Sequence, residues 1–104
     1  MMQFRMVYIT TPNEDEARTI GRSLVENRLA ACVNIVPGMK SIYRWQGQIH
    51  EDDEIVLIAK TTAGRVDELT EWVVAHHSYE CPCVAVLPIE PGNPAYFEWL
   101  EDCV

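Results

Sequence analysis

No stretch of this 104-residue chain is apolar for long enough to span a bilayer. Nor does a basic segment leading into an apolar one precede the first strand pattern at Phe4. A cytoplasmic protein is the expectation. Positive charge is scarce, with 8 Lys and Arg against 16 Asp and Glu, a formal net charge of −8. Nucleic acid and anionic membrane both reward excess cations, so neither is expected as a partner. The chain also lacks a G-x-S-x-G elbow, a P-loop and an H-E-x-x-H pair. Its first strand-to-helix turn, Thr10 to Asp15, is acidic and would repel a phosphate. Binding rather than catalysis is the expectation. There is no internal repeat, linker or low-complexity tract, which leaves one domain over residues 1–104. Cys32, Cys81, Cys83 and Cys103 are even in number, but in a cytoplasmic chain they read as reduced thiols.

What is present is periodicity. Phe4 to Thr10 is β-rich and apolar on both parities, as in a strand paired or covered on both sides. Asn13 with Glu16 predicts a capping box, after which Ala17, Ile20, Gly21, Leu24 and Val25 keep helical spacing. Arg28 falls near that helix's C-terminal end, where a cation is favoured. Thr61 or Thr62 can cap a second helix over 63–75, with Val66, Leu69, Trp72 and Val73 as its buried stripe. Cys83 to Ile89 reads as a buried last strand, and Asn93-Pro94 launches a short terminal helix. The order is β-α-β-β-α-β plus that helix. It predicts an α+β, ferredoxin-like fold: a four-stranded antiparallel sheet with two helices on one face.

The centre of the pattern is a long hairpin, Ala31 to Thr62, turning at Gln46-Gly47-Gln48. Pro37-Gly38 interrupts its first arm and predicts a bulge, because strand residues resume at once. Arms of this length exceed the usual ~3–10 residues, so their far ends should overhang the domain. An overhanging ribbon has open edges, which must be blunted or paired with another chain.

Two constellations stand out chemically. His76-His77 followed by Cys81-Pro82-Cys83 combines imidazoles and thiols that suit copper or zinc. In an extended segment Cys81 and Cys83 point the same way, whereas adjacent helical histidines diverge by about 100°. The alternative is a solvated connector with structural cysteines. Tyr43, Trp45, Lys60, Tyr79 and Glu80 are candidates for a polar ligand pocket, with Glu80 the natural partner of Lys60. There the alternative is a structural ion pair with aromatic packing. Glu51-Asp52-Asp53-Glu54 reads as a solvated edge, since alternate strand residues face opposite sides and cannot converge on one ion. Cys32 reads as a small buried residue.

Several motifs carry a family likeness: AACVNI at Ala30–Ile35, Y-x-W-x-G-x-I at Tyr43–Ile49, AKTT at Ala59–Thr62, H-x-Y-E-x-P at His77–Pro82 and LPI at Leu87–Ile89. In this collinear order the chain resembles the CutA divalent-cation-tolerance proteins. The resemblance implies a ferredoxin-like fold and a homotrimer whose hairpins pair across subunits. It further implies binding of copper or another divalent metal ion, gives His76 and His77 some added weight, and places the aromatic pocket in clefts between subunits. The chain departs from the family pattern at Ser78, Cys83 and Ile9, the last standing where some bacterial members carry a copper-linked cysteine. The functional expectation is a homotrimeric copper-binding protein of cation tolerance. The alternative is a trimeric signalling module that binds a small ligand between subunits, as PII regulators do.

Overall fold

The computed structural model describes residues 2–104. Its sheet is built outward from β1 (Phe4–Thr11), which pairs antiparallel with β3 (Gln48–Thr62) on one side and β4 (Val84–Ile89) on the other. With β2 (Cys32–Trp45) beyond β3, the four-stranded order is β2-β3-β1-β4, the arrangement expected of a split βαβ unit. Strand alternation sorts β1 into two sets. Val7 and Ile9 share a face with Leu57 and Ala59, and α1 (Glu14–Glu26) and α2 (Val66–His76) cover it through Ile20, Leu24, Leu69 and Val73. Each of these larger side chains is essentially inaccessible, and burying one stabilises the fold by roughly 1.5–3 kcal/mol. Phe4 faces the opposite side, where α3 (Pro94–Cys103) covers only one end of the sheet. Leu100 and Phe97 pack there, the Phe97 ring lying edge-on to Phe4 at 4.8 Å.

The helix ends show where local chemistry was read well and where it was not. The Asn13 side chain accepts the Glu16 N–H at 2.8 Å, so the N-cap is as expected. Glu16 does not close the box. Its carboxylate reaches across to accept the Ser78 N–H at 3.1 Å. Arg28 is no last-turn cation either. It lies beyond the helix at φ 57, and the Arg28 and Leu29 N–H groups bond back to the Val25 and Leu24 carbonyls in a Schellman closure. The second helix begins later than expected: Ala63–Arg65 forms a 3₁₀ turn and α2 starts at Val66. Neither threonine caps it. Thr61 Oγ1 instead donates to the Leu29 carbonyl at 2.7 Å, and no side-chain cap forms at Thr62.

β2 and β3 run for 14 and 15 residues, whereas β1 stops pairing at Ile55. Residues 39–54 therefore form a two-stranded ribbon beyond the third strand, and the molecule measures 45 Å along its longest axis against 24 and 22 Å. The bulge is where the sequence places it. Val36 pairs with Val56 and Met39 with Glu54, so Pro37 and Gly38 oppose Ile55 alone, with Gly38 at φ +85. The turn is tighter by one residue than expected. Trp45 pairs directly with Gln48 across Gln46 and Gly47, both at positive φ as a type I′ turn requires. β4 begins at Val84 and is not a buried strand. It lies at the sheet edge, with Val86 and Leu87 exposed. Among the described residues, no helix is long and apolar enough to cross a membrane.

Candidate functional site

The ribbon register places Met39, Ser41, Tyr43 and Trp45 of β2 on the same face as Asp52 and Glu54 of β3. The connector from α2 to β4 lies against this face and bounds a cleft of about 620 Å³. Tyr43, Trp45, Tyr79 and Glu80 line it, joined by Cys81 and Cys83. Four of the five expected pocket residues thus come together with both connector thiols.

Glu54 is the residue that sequence reasoning missed. It belongs to the acidic run assigned to a solvated edge, yet it is only 7% exposed. Its Oε2 accepts the Tyr79 hydroxyl at 2.8 Å, and it has no ion-pair partner among the described residues. Burial, reinforced by this bond and the nearby negative charge, holds the Tyr79 phenol well above its ordinary pKa. Burial and the Glu54 charge likewise push the Cys83 thiol up. Tyr43 donates to Asp52, and that bond leads the causes that raise its own pKa. Glu54 could have been singled out by position. It is the member of the acidic run that adjoins the apolar Ile55-Val56 step, where the ribbon enters the three-strand part of the sheet.

The two histidines separate. His77 is buried, with Nε2–H donating to the Thr10 carbonyl at 2.8 Å and Nδ1 accepting the Tyr79 N–H at 3.0 Å. Both ring nitrogens are engaged inside the protein, and Glu16 lies 3.3 Å from Nδ1. His76 is exposed. Its ring stacks on Trp72 at 3.8 Å, and Nδ1–H donates to the Trp72 carbonyl at 2.7 Å. Cys81 and Cys83 are exposed free thiols on the cleft. Among the described residues, no three His, Cys, Asp or Glu side chains converge closely enough to hold a metal ion. His76, His77, Cys81 and Cys83 are therefore not one preformed cluster within the chain.

Lys60 is absent from the cleft and makes no ion pair with Glu80. It sits in register with Met6 and Cys32, and its ammonium lies 5.9 Å from the centre of the Tyr96 ring. Tyr96 in turn contacts Cys32 Sγ at 3.3 Å, and burial followed by that contact pushes its phenol up to about 12. The cleft combines soft sulfur donors, aromatic faces and a buried carboxylate, an arrangement suited to holding an ion or a small molecule.

A split βαβ sheet with an overhanging ribbon, and a cleft between ribbon and connector, define a small ferredoxin-like α+β domain with a binding site on the face opposite its two main helices. The chain belongs to the CutA1 divalent ion tolerance protein family, which it matches over residues 5–103. It is 54% identical over 97 residues to the divalent-cation tolerance protein CutA of Thermus thermophilus, covering 93% of this chain and 94% of that protein. A solved structure of the divalent cation tolerance protein from Thermus thermophilus superposes with a TM-score of 0.92 at 52% identity, over 95% of this chain and 96% of that one. The chloroplastic CutA 1 protein of rice (Oryza sativa) is 46% identical over 97 residues, covering 93% of this chain but 55% of that longer protein.

Proposed function

We propose that this chain is a homotrimeric, cytoplasmic protein of divalent-cation tolerance, in which residues 1–104 act as one domain that binds copper by coordination, without catalysis. The observation that carries the reading is the placement of Cys81 and Cys83, one residue apart on one cleft that Met39 also lines. Two thiols with a thioether nearby form a soft donor set, which favours copper, as Cu(I), over harder cations. Two cysteines per chain do not complete a coordination sphere. Exposed His76, an exogenous ligand or a neighbouring copy would supply the rest, while His77 holds the connector in place.

The trimer rests on the ribbon and on β4. Ile42 and Ile49 are 70% and 67% exposed on strands that no third strand supports, and the apolar edge of β4 is uncovered. Calorimetric titration of the reduced, metal-free protein with Cu(I) and zinc is the direct test. Stoichiometric copper binding that disappears in the Cys81→Ser/Cys83→Ser double variant is the expected result. Binding that survives the double change would sink the thiol site. Because the thiols must shed protons and Cys83 holds its proton more tightly than usual, affinity should rise with pH until that thiol ionises.

A second reading is a trimeric signalling module whose cleft takes a small ligand, as PII regulators do. The cleft of about 620 Å³ favours it, since small-molecule sites typically enclose ~300–1,000 Å³. Tyr43, Trp45, Tyr79 and Glu80 would then form the site, with Lys60 outside it.

A further inference from the structure

We infer that the cleft beside the ribbon takes an organic cation, an alkylammonium or quaternary ammonium group, seated against the rings of Tyr43, Trp45 and Tyr79 and paired with the Glu54 carboxylate. The inference rests on the small-ligand reading of this cleft and names the chemistry of its ligand.

Charge decides the sign of the ligand. Glu54 and Glu80 line the cleft, and Lys40 is the one cationic side chain among the lining residues. Lys40 is already paired with Asp53, its cross-strand neighbour. The phenols are neutral donors and acceptors, so the cleft presents uncompensated negative charge. An anionic ligand such as a nucleotide phosphate would meet two carboxylates and no free cation.

Glu54 supplies the anchoring atom. Oε2 accepts from Tyr79, while Oε1 makes no hydrogen bond among the described residues. No side-chain oxygen or nitrogen is both fully buried and unpartnered, so Oε1 opens on the cleft that Glu54 lines. A carboxylate this buried, with one neutral donor for company, carries a desolvation cost that an incoming cation would offset. The aromatic walls supply the remainder. Indole and phenol faces attract cations through their quadrupoles, most strongly where water is excluded, and boxes of such rings recognise quaternary ammonium groups. Tyr43 is held in place by its bond to Asp52 and by stacking on His50 at 5.5 Å. Tyr79 is fixed by Glu54 and through its N–H to His77. Two walls of the box are therefore preorganised, which limits the entropy lost on binding.

Choline, its neutral isostere 3,3-dimethylbutan-1-ol and adenosine monophosphate form the test panel, titrated calorimetrically into the full chain in its native assembly. Choline should bind saturably and at least roughly tenfold more tightly than the alcohol, with no binding of the nucleotide. Glu54→Gln keeps an acceptor for the Tyr79 hydroxyl and should erase choline's advantage while leaving the alcohol unchanged. Trp45→Leu, on the exposed ribbon, should weaken choline several-fold and provides a test if the Glu54 variant fails to fold. Equal binding of choline and the alcohol, preference for the nucleotide, or choline binding indifferent to both substitutions would overturn the charge inference while leaving the small-ligand reading intact. A cleft that takes none of the three would overturn both.

Discussion

His77 shows how a residue that looks like a ligand can be part of the scaffold. One nitrogen donates to the Thr10 carbonyl on β1 and the other receives the Tyr79 N–H, so the ring fastens the connector to the sheet. His77→Ala would orphan both partners, and chemical denaturation should show a loss of about 2–4 kcal/mol. Tyr79, two residues on, gives a reading of the cleft by spectroscopy. A phenol whose folded pKa is raised prefers the protonated, folded state. Its stabilisation is fully present below the unfolded value of 10.0 and is lost as pH climbs through the raised one. Ultraviolet titration should therefore show Tyr79 ionising far later than an ordinary phenol, and Tyr96 near 12, with stability falling across that alkaline range. Removing the negative charge with Glu54→Gln should bring the Tyr79 transition down, and an unmoved transition would refute the coupling. At this scale the sequence was only partly legible. Tyr43, Trp45, Tyr79 and Glu80 could be grouped from residue type, and structure joins them in one cleft. Lys60 could not be excluded, because nothing in a one-dimensional pattern shows that its ammonium lies over Tyr96. Glu54 was hidden inside a run of four acids of which it alone is buried.

Secondary elements were legible wherever their periodicity and end chemistry agreed. β1, α1 and the two hairpin arms follow apolar spacing that only one structure satisfies, and Pro37-Gly38 marks its bulge by the missing N–H and the freedom in φ. The errors came at ends. Thr62-Ala63 looks like a helix start, but a 3₁₀ turn without a side-chain cap intervenes. Cys83 to Ile89 looks like a buried strand because apolar content signals that a strand needs cover without saying what provides it. The ribbon turn offers a sharp test of local chemistry. Gln46 occupies a left-handed conformation at φ 50, which costs a side chain other than Asn or Gly. Gln46→Asn should stabilise the folded chain by about 0.5 kcal/mol, seen as a higher denaturation midpoint at unchanged slope.

At the scale of the whole molecule the prominent fact is its elongation to 45 Å for a chain of 11.9 kDa. Strand length alone foretold the overhang, since β1 is too short to support arms of 14 and 15 residues. The proposed trimer predicts a light-scattering mass of three times 11.9 kDa at micromolar concentration. Ile42→Asp with Ile49→Asp should shift that mass towards the monomer, because each puts a charge on an apolar side chain that the ribbon exposes. A monomeric wild-type mass would refute the assembly and the reading of the ribbon with it.

The same overhang divides the chain into parts that depend on different things. An isolated two-stranded ribbon is marginal in water, whereas Val7 and Leu57 sit in a core that needs no second molecule. Amide hydrogen exchange should then become a clock with two hands. Core amides would keep one rate at every dilution. Those of residues 40–54 would quicken as the protein is diluted, reporting how often a ribbon is without its neighbours.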